Sequence, residues 1–382
     1  MGTSISSVTS KYPELGFYGL PGHSNSPADI IKQAQDAEHL GIGNIMISER
    51  ADFKEISALC GAVSATTKDI FIGTSGTNLN TRHPLITASM GSTLCTLSKG
   101  RFALGLAKGV GLRWRSLNLP FPTFEHESVF IELMRSLWKG ESIQNHSSLL
   151  GEFASISLGH HVEVDVPVLY IGFGENSLRH AGTIYDGAHL HTFMTNQALN
   201  NAVGFFREGE STANRPPGKV WSVFATACDP TEREYLKKIV ARLATYLQIP
   251  GYGDALVACN GWDLDLLAKF RASKPVSGMR GAIDTVATWS ELEAIEKLIP
   301  ETWRPAAVGD AKTCAIKWVE QFQSGADGLI IHASTPEEFE PVLKEYEKIR
   351  PTELFARYTN NPGVENVPIN GSFLDYGSIT NN

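Results

Sequence analysis

The sequence has little of what would place the chain in a membrane, on nucleic acid or in an oxidising compartment. No apolar run approaches the roughly 18 residues of a membrane-spanning helix, and no hydrophobic leader is recognised. The formal net charge of −8 argues against nucleic acid, which selects basic surfaces. The five cysteines are scattered without a CxxC spacing, which favours a reducing compartment. We therefore expect a soluble, cytoplasmic protein without a bound metal.

The chain does contain a regular alternation of strand-like and helical segments. Its 382 residues, of which 42% are apolar, can bury a large core. Several apolar runs are nearly continuous, as is expected of parallel strands buried on both faces. Eight such runs separated by helical patterns predict a single (β/α)8 TIM barrel of the α/β class. The predicted strands are 15–18, 44–48, 70–77, 101–107, 166–174, 187–192, 220–227 and 326–332.

Helix-start signals support this division. Capping residues or a first-turn proline at Ser26-Pro27, Thr123, Asp229-Pro230 and Thr335-Pro336 each precede apolar residues at helical spacing. Each of these sites is therefore predicted to open a helix between or after the strands.

Four regions are predicted along the chain. Residues 1–14 are a polar leader and 15–350 form the barrel, with an insertion at about 249–310 after the seventh strand. Residues 351–382 are rich in Asn, Gly, Ser and Pro, which indicates a tail that is disordered or draped over a neighbour.

Chemistry in such barrels occurs at the C-terminal ends of the strands, so the residues after each strand are the candidates. The turn at 171–177 contains Gly172, Phe173 and Gly174, and its glycines allow close approach to a ligand. Asn176 or Ser177 is expected to cap the following helix, whose free N–H groups would bind a phosphate. A tight turn that needs glycines for its geometry explains the same pattern.

Two further segments carry a family resemblance. Thr81-Arg82-His83-Pro84 and the glycine-rich 100–109 together resemble the luciferase-like family, from about Leu15 to Tyr346. This family includes flavin monooxygenases of the bacterial luciferase type and oxidoreductases that use the deazaflavin coenzyme F420. The chain is most similar to a deazaflavin-dependent subgroup, through the motifs at 47–50, 242–248, 260–263 and 281–284.

The resemblance implies where the cofactor binds. The turn at 171–177 would hold its phosphate, and a non-proline cis peptide at Gly76-Thr77 would press against the flat ring. Asn78 would hydrogen-bond the pyrimidine edge of the ring, although a turn role is also open for an asparagine here. Ser48, at the end of the second strand, is included among the cofactor-binding residues.

Three residues are predicted to act in catalysis. Many deazaflavin-dependent relatives have a histidine at about this place that contacts the reacting ring. This chain has Glu49 and Arg50 there instead, so the role of that histidine cannot be transferred. Arg50 would stabilise the anionic deazaflavin. Glu49 would orient Arg50 or donate a proton. A structural Glu49–Arg50 pair is the alternative. His191 is the candidate acid or base.

Lys108 lies where sugar-phosphate and alcohol dehydrogenase members have a catalytic glutamate. A lysine here suits a phosphate or the acidic tail of F420 better than proton abstraction. A solvated surface lysine is the alternative reading.

The predicted function is hydride transfer between F420 and a small organic substrate, by a homodimer. The insertion, including Trp262, is expected to roof the pocket. An FMN-dependent monooxygenase and a non-catalytic F420-binding protein are alternatives. A metal-dependent hydrolase is the weakest alternative, because His189 and His191 lack a suitably spaced acidic partner.

Overall fold

The computed structural model describes residues 9–22, 26–50, 53–163 and 165–365. The predicted leader lies largely outside these residues, as does the last part of the predicted tail. These described ranges contain eleven strands: β1 Tyr12–Tyr18, β2 Ile42–Ile47, β3 Phe71–Thr74, β4 Phe102–Leu106, β5 Ile143–Ser148, β6 Gly151–Ile156, β7 Val168–Ile171, β8 Gly187–His189, β9 Lys219–Cys228, β10 Ala307–Gly309 and β11 Gly328–His332.

Helices alternate with these strands. They are α1 Asp29–His39, α2 Ile56–Thr66, α3 Pro84–Leu97, α4 Gly111–Ser116, α5 Phe124–Trp138, α6 Glu175–Ile184, α7 Asn196–Thr212, α8 Glu232–Tyr235, α9 Arg242–Gln248, α10 Tyr252–Cys259, α11 Leu264–Ala272, α12 Lys274–Ser277, α13 Ile283–Val286, α14 Trp289–Glu296, α15 Ala311–Gln323, α16 Pro336–Ile349 and α17 Thr352–Phe355. A π-helical turn at Leu236–Ala241 joins α8 to α9, and a 3-10 turn lies at Glu301–Trp303. Within the described ranges, no helix has the length and apolarity to cross a membrane.

Eight parallel strands close into a barrel in the order β9, β11, β1, β2, β3, β4, β7, β8, and β8 pairs back to β9. The predicted TIM barrel is therefore confirmed. Every residue of β2, β3 and β4 is buried, in agreement with their continuous apolar sequences. At Gly105 a Cβ would lie 2.0 Å from the carbonyl oxygen of Thr74, so this strand contact requires glycine.

The helix starts agree with the predictions at Thr123 and Thr335, whose side chains cap α5 and α16. Two starts are shifted. The helix expected at Ser26 begins at Asp29, and Thr231 rather than Asp229 caps α8. The antiparallel β5–β6 hairpin and the short β10 were not predicted. The two strands of the hairpin contain mostly polar or small residues and few apolar ones, so their sequence gives only a weak strand signal.

The chain between β9 and β11 carries its own hydrophobic cluster, which includes Leu243, Leu247, Leu256, Leu267 and Ile295. The exact bounds of the insertion stay a prediction. Residues 350–365, which follow α16, pack on the barrel. Phe355 lies with its ring centroid 4.9 Å from that of Phe322, and the Trp221 indole donates to the Pro362 carbonyl at 2.8 Å.

Candidate active site

A cavity of about 590 Å³ opens at the C-terminal ends of the barrel strands. Segments following β1, β2, β3, β4, β7, β8 and β11 line it, together with part of the insertion. This is the edge of the sheet where the sequence predicts the chemistry.

The structure brings part of the predicted site to the cavity wall. The predicted residues that line the cavity are Ser48, Arg50, Lys108, Gly172, Phe173, Ser177 and His191. The others belong to adjoining turns and do not line it: Glu49, Gly76, Thr77, Asn78, Gly174 and Asn176.

Glu49 pairs with Arg82. One Glu49 oxygen lies 2.5 Å from Arg82 Nη2, and the other accepts from the Thr77 hydroxyl at 2.6 Å and the Asn78 amide at 3.3 Å. The alternative of a Glu49–Arg50 pair is thus replaced by Glu49–Arg82. The Asn78 side-chain oxygen accepts from the Asn80 amide at 2.9 Å, as in a turn. A proton-donor role for Glu49 and a ring contact for Asn78 stay predictions.

Arg50 lies on the cavity wall beside a lysine that the sequence did not single out. Arg50 Nη1 lies 3.4 Å from the Gly22 carbonyl. The buried Lys54 also lines the cavity, and its ammonium donates to the Leu20 carbonyl. The backbone amide of Arg50 donates to the Lys54 carbonyl at 3.1 Å, which folds the two cations onto one wall.

A cis peptide joins Ser75 to Gly76, one residue before the position implied by the resemblance. A Cβ on Gly76 would lie 2.8 Å from Ile171 Cγ1, so a glycine is needed in this turn. Ser75 connects two other side chains: its hydroxyl lies 2.5 Å from the Tyr18 hydroxyl and 3.1 Å from His189 Nδ1. Tyr18 and Ser75 line the cavity, and neither was in the predicted site.

The turn after β7 leads into α6 as predicted, but with a different cap. Gly174 is the N-cap residue, with φ of +100°, and no side chain among the described residues caps this helix. The predicted cap by Asn176 or Ser177 is therefore wrong. Glu175 pairs with Arg179 at 3.1 Å, one turn along the helix. The first-turn N–H groups of α6 thus remain available at the site proposed for a phosphate.

Lys108 is held in place by a buried acid. Its ammonium lies 3.1 Å from Glu127 Oε2 and 3.5 Å from the centre of the Phe124 ring. Glu127 is 1% exposed and also accepts from the Tyr185 hydroxyl at 3.0 Å. Burial raises the pKa of Glu127, although Lys108 opposes that shift. The reading of Lys108 as a solvated surface lysine is therefore wrong.

Two histidines face the cavity. His191 lies among Tyr246, Phe173 and Tyr252, with ring centroids 4.5, 4.9 and 5.4 Å away. Burial lowers the pKa of His191 to about 4. It also lowers the pKa of His332, at the end of β11, well below the ordinary value. Both imidazoles are neutral at pH 7.

The subgroup motifs fasten the insertion to the barrel. Arg242 forms an ion pair of 2.7 Å with Asp284, and the Asp284 amide donates to Thr245 at 2.9 Å. The Asn260 side chain accepts from the Thr195 amide at 2.7 Å, after β8. Trp262, expected over the pocket, instead stacks on Trp303 inside the insertion, with ring centroids 5.0 Å apart.

Comparisons with known proteins agree with this architecture. Over 242 residues the chain is 26% identical to the 5,10-methylenetetrahydromethanopterin reductase of Methanolobus tindarius, a match covering 61% of this chain and 71% of that enzyme. The structure of the coenzyme F420 dependent tetrahydromethanopterin reductase from Methanopyrus kandleri superposes with a TM-score of 0.72 and 19% identity, over 89% of this chain and 99% of that one.

A flavin enzyme is also similar in structure. The oxygenating constituent of 3,6-diketocamphane monooxygenase from Pseudomonas putida, solved with FMN, has a TM-score of 0.61 and 18% identity, over 92% of this chain and 98% of that one. The family model for luciferase-like monooxygenases matches residues 9–328. This match covers most of the chain, and the resemblance predicted from the motifs is confirmed. The protein is a member of the luciferase-like monooxygenase family.

Proposed function

We propose that the protein is an F420-dependent oxidoreductase that exchanges a hydride between the deazaflavin C5 and a small organic substrate. The observation that carries the proposal is the charge of the cavity. Its lining includes the cations Arg50, Lys54, Lys108 and Arg115, and the described lining residues include no Asp or Glu. A chain with a net charge of −8 thus has a cationic mouth, which favours a ligand with a phosphate and an acidic tail.

The residues present fit such a cofactor. The first turn of α6 offers N–H groups beside Ser177, and Gly174 has open space where a Cβ would be, with nothing within 4 Å. A phosphate held at this turn would lie near Lys108, because β4 and β7 are neighbours in the barrel. The turn at Ser75–Gly76 offers small residues against which a flat ring could pack.

When bound, the deazaflavin supplies two-electron chemistry, and the protein supplies binding, orientation and electrostatics. Arg50 would place a fixed cation beside the ring, where a water-poor cavity strengthens its effect. Glu49 would act through Arg82 by holding the Thr77 turn in position. Tyr246 of α9 and Tyr252 of the insertion would exclude water from the space around His191.

An FMN-dependent monooxygenase is the second candidate, because a solved FMN complex has the same fold. FMN also carries a phosphate and a flat ring, so the α6 turn alone does not discriminate. Sequence relatives that are named F420-dependent glucose-6-phosphate dehydrogenases favour F420. The cytoplasmic location and the homodimer stay predictions.

Titration with oxidised F420 and, separately, with FMN tests the proposal. We expect binding to quench the fluorescence of F420. The affinity for F420 should be at least about tenfold higher than that for FMN, a difference of about 1.4 kcal/mol in binding free energy. Tighter binding of FMN would overturn the proposal in favour of the monooxygenase. A panel of acceptors, followed by the change in coenzyme absorbance, distinguishes an enzyme from a non-catalytic binder.

A further inference from the structure

One wall of the cavity contains polar atoms that the protein leaves unsatisfied. Both ring nitrogens of His191, the hydroxyl of Thr192 and Nδ1 of His332 are buried and have no hydrogen-bond partner among the described residues. All three residues line the cavity. An unsatisfied buried polar group costs about 1–3 kcal/mol, so three side chains with such groups on one wall indicate a position where a ligand completes the bonding.

This wall lies across the barrel from the turn proposed for the flat ring, and it adjoins the turn proposed for the phosphate, because β8 pairs with β7. His191 and Thr192 follow β8, and His332 ends β11, with β9 between those strands. In the ring of eight strands, β9 is four places from β3 and β11 is four places from β4. The Ser75–Gly76 turn and Lys108, which follow β3 and β4, therefore face this wall. A substrate between the two walls would contact the ring on one side and the unsatisfied atoms on the other.

The surroundings of these atoms select the kind of group that binds. The aromatic rings of Phe173, Tyr246 and Tyr252 surround His191, and the Tyr18 ring lies 5.5 Å from the His332 ring. These rings favour an aromatic or other apolar body. Neutral imidazoles and a hydroxyl each offer a hydrogen-bond donor.

Charge decides between a donor and an acceptor in the ligand. The pKa of His332 is lowered by burial and then by the positive charges of Arg242, Arg50 and Lys54, together with His191. Arg50 and Lys54 line the same cavity as His332, so their positive charge acts on this space, whereas Arg242 is paired with Asp284. Such a potential favours an oxygen acceptor with partial or full negative charge and disfavours an ammonium group.

We propose that His191, Thr192 and His332 form the subsite for the substrate, and that they bind a carbonyl or carboxylate oxygen carried on an aromatic or other apolar body. The assignment of this site to the substrate rests on the proposed function, which places the flat ring of the cofactor against the opposite turn at Ser75–Gly76. Thr192 and His332 then become binding residues that were absent from the predicted site.

Four probes with one aromatic body test the subsite: acetophenone, benzoate, benzylamine and ethylbenzene. Binding is measured by calorimetry, with the protein alone and with saturating F420. We expect acetophenone or benzoate to bind at least about tenfold more tightly than benzylamine and ethylbenzene. The better of the two identifies the head group as carbonyl or carboxylate. Equal binding of all four probes would overturn the proposal.

Variants then locate the binding. Thr192→Val and His332→Phe should each weaken the preferred probe by about fivefold or more, since each removes a hydrogen bond of about 1 kcal/mol. His39→Gln, at the exposed end of α1, is the matched control and should bind as wild type. Circular dichroism checks that every variant is folded. Unchanged probe affinity in both folded cavity variants would also overturn the proposal.

F420 titration separates this proposal from the proposed function. If the probe preferences hold but F420 does not bind, the proposed function fails and the subsite stands as a binding site. If F420 binds but removes the probe site, or if Thr192→Val and His332→Phe weaken F420 as much as the probe, this wall belongs to the cofactor and the substrate assignment is wrong.

Discussion

The two ends of the barrel differ in whether their buried polar groups have hydrogen-bond partners. At the N-terminal end, Lys219 is buried at the start of β9, and its ammonium binds the carbonyls of Thr359 and Asn361 and the carboxylate of Glu365. At the C-terminal end, His191 is enclosed by aromatic rings, and neither of its ring nitrogens has a partner among the described residues.

The difference separates stability from function within one fold. The chain after α16 supplies partners for the N-terminal end of the barrel, as a structural role requires. At the opposite end, unsatisfied groups and cations line an open cavity, which disfavours the empty state and favours a ligand. The same division is general in barrels of this type, whose active sites lie at the C-terminal face.

The largest effect on stability is expected at the N-terminal end of the barrel. Lys219→Met would leave the Glu365 carboxylate and two carbonyls without their cation, so the free energy of unfolding should fall by about 3 kcal/mol. Urea denaturation measures this loss. Lys238→Met is the control, because the Lys238–Glu338 pair is more exposed and should contribute about 1 kcal/mol or less. Equal losses in the two variants would mean that the C-terminal segment does not stabilise the barrel.

For the C-terminal end, two glycine variants are compared in order to separate an effect on cofactor binding from an effect of backbone strain. Gly174 and Gly159 both have positive φ, of +100° and +74°, and an added Cβ would meet nothing within 4 Å at either site. Valine should strain the backbone at both positions, because β-branched residues rarely adopt a positive φ. Gly174→Val should weaken F420 by about 30-fold or more, roughly 2 kcal/mol, and Gly159→Val should not. Near-normal F420 affinity in folded Gly174→Val would remove the phosphate assignment.

The neutral His191 should make the protein sensitive to acid. Its pKa is about 4 in the folded protein, against about 6.5 when unfolded, so the unfolded state takes up the proton first as the pH falls. Stability is therefore lost through the window from about pH 6.5 to 4. Between pH 7.5 and 5.0 this residue should account for a loss of about 2 kcal/mol.

His191→Phe should remove that part of the pH dependence. Urea denaturation at the two pH values measures it, and His39→Gln should keep the wild-type difference. An identical fall in His191→Phe and wild type would mean that His191 is not buried in its neutral form.

The smallest effect is expected at Glu49, which follows β2 at the C-terminal end of the barrel. Because Glu49 is hydrogen-bonded to Arg82 and Thr77, Glu49→Gln should lower the free energy of unfolding by about 1 kcal/mol and F420 affinity by about threefold. Urea denaturation and fluorescence titration measure the two quantities. Loss of hydride transfer with normal affinity would instead support the catalytic role predicted from the sequence.

Much of the fold could be predicted because its signals are local. Continuous apolar runs gave all eight barrel strands, and the capping threonines Thr123 and Thr335 gave two helix starts. Glu127 was missed, yet a local signal existed: it lies three residues before Phe130, on the buried face of α5. A charged residue at such spacing indicates a buried acid, and here its partner is Lys108.

The site was harder to predict because it depends on pairings across the chain. Glu49 is adjacent to Arg50 in sequence but pairs with Arg82, 33 residues away. Lys54 looks like an exposed lysine after a short turn until β1 and β2 bring it to the Leu20 carbonyl. The pKa of His332 is lowered by burial and then by charges on other segments of the chain, among them Arg242 and Arg50.

The amino-acid order by itself determined the number of barrel strands, their parallel arrangement and the edge of the sheet where chemistry would occur, since apolar periodicity and turn residues act over a few positions. Which side chains meet at that edge was decided by tertiary structure. Closure of the barrel sets distant strand ends facing one another, and the burial that results sets which charges are paired and which hydrogen-bonding groups are left for a ligand.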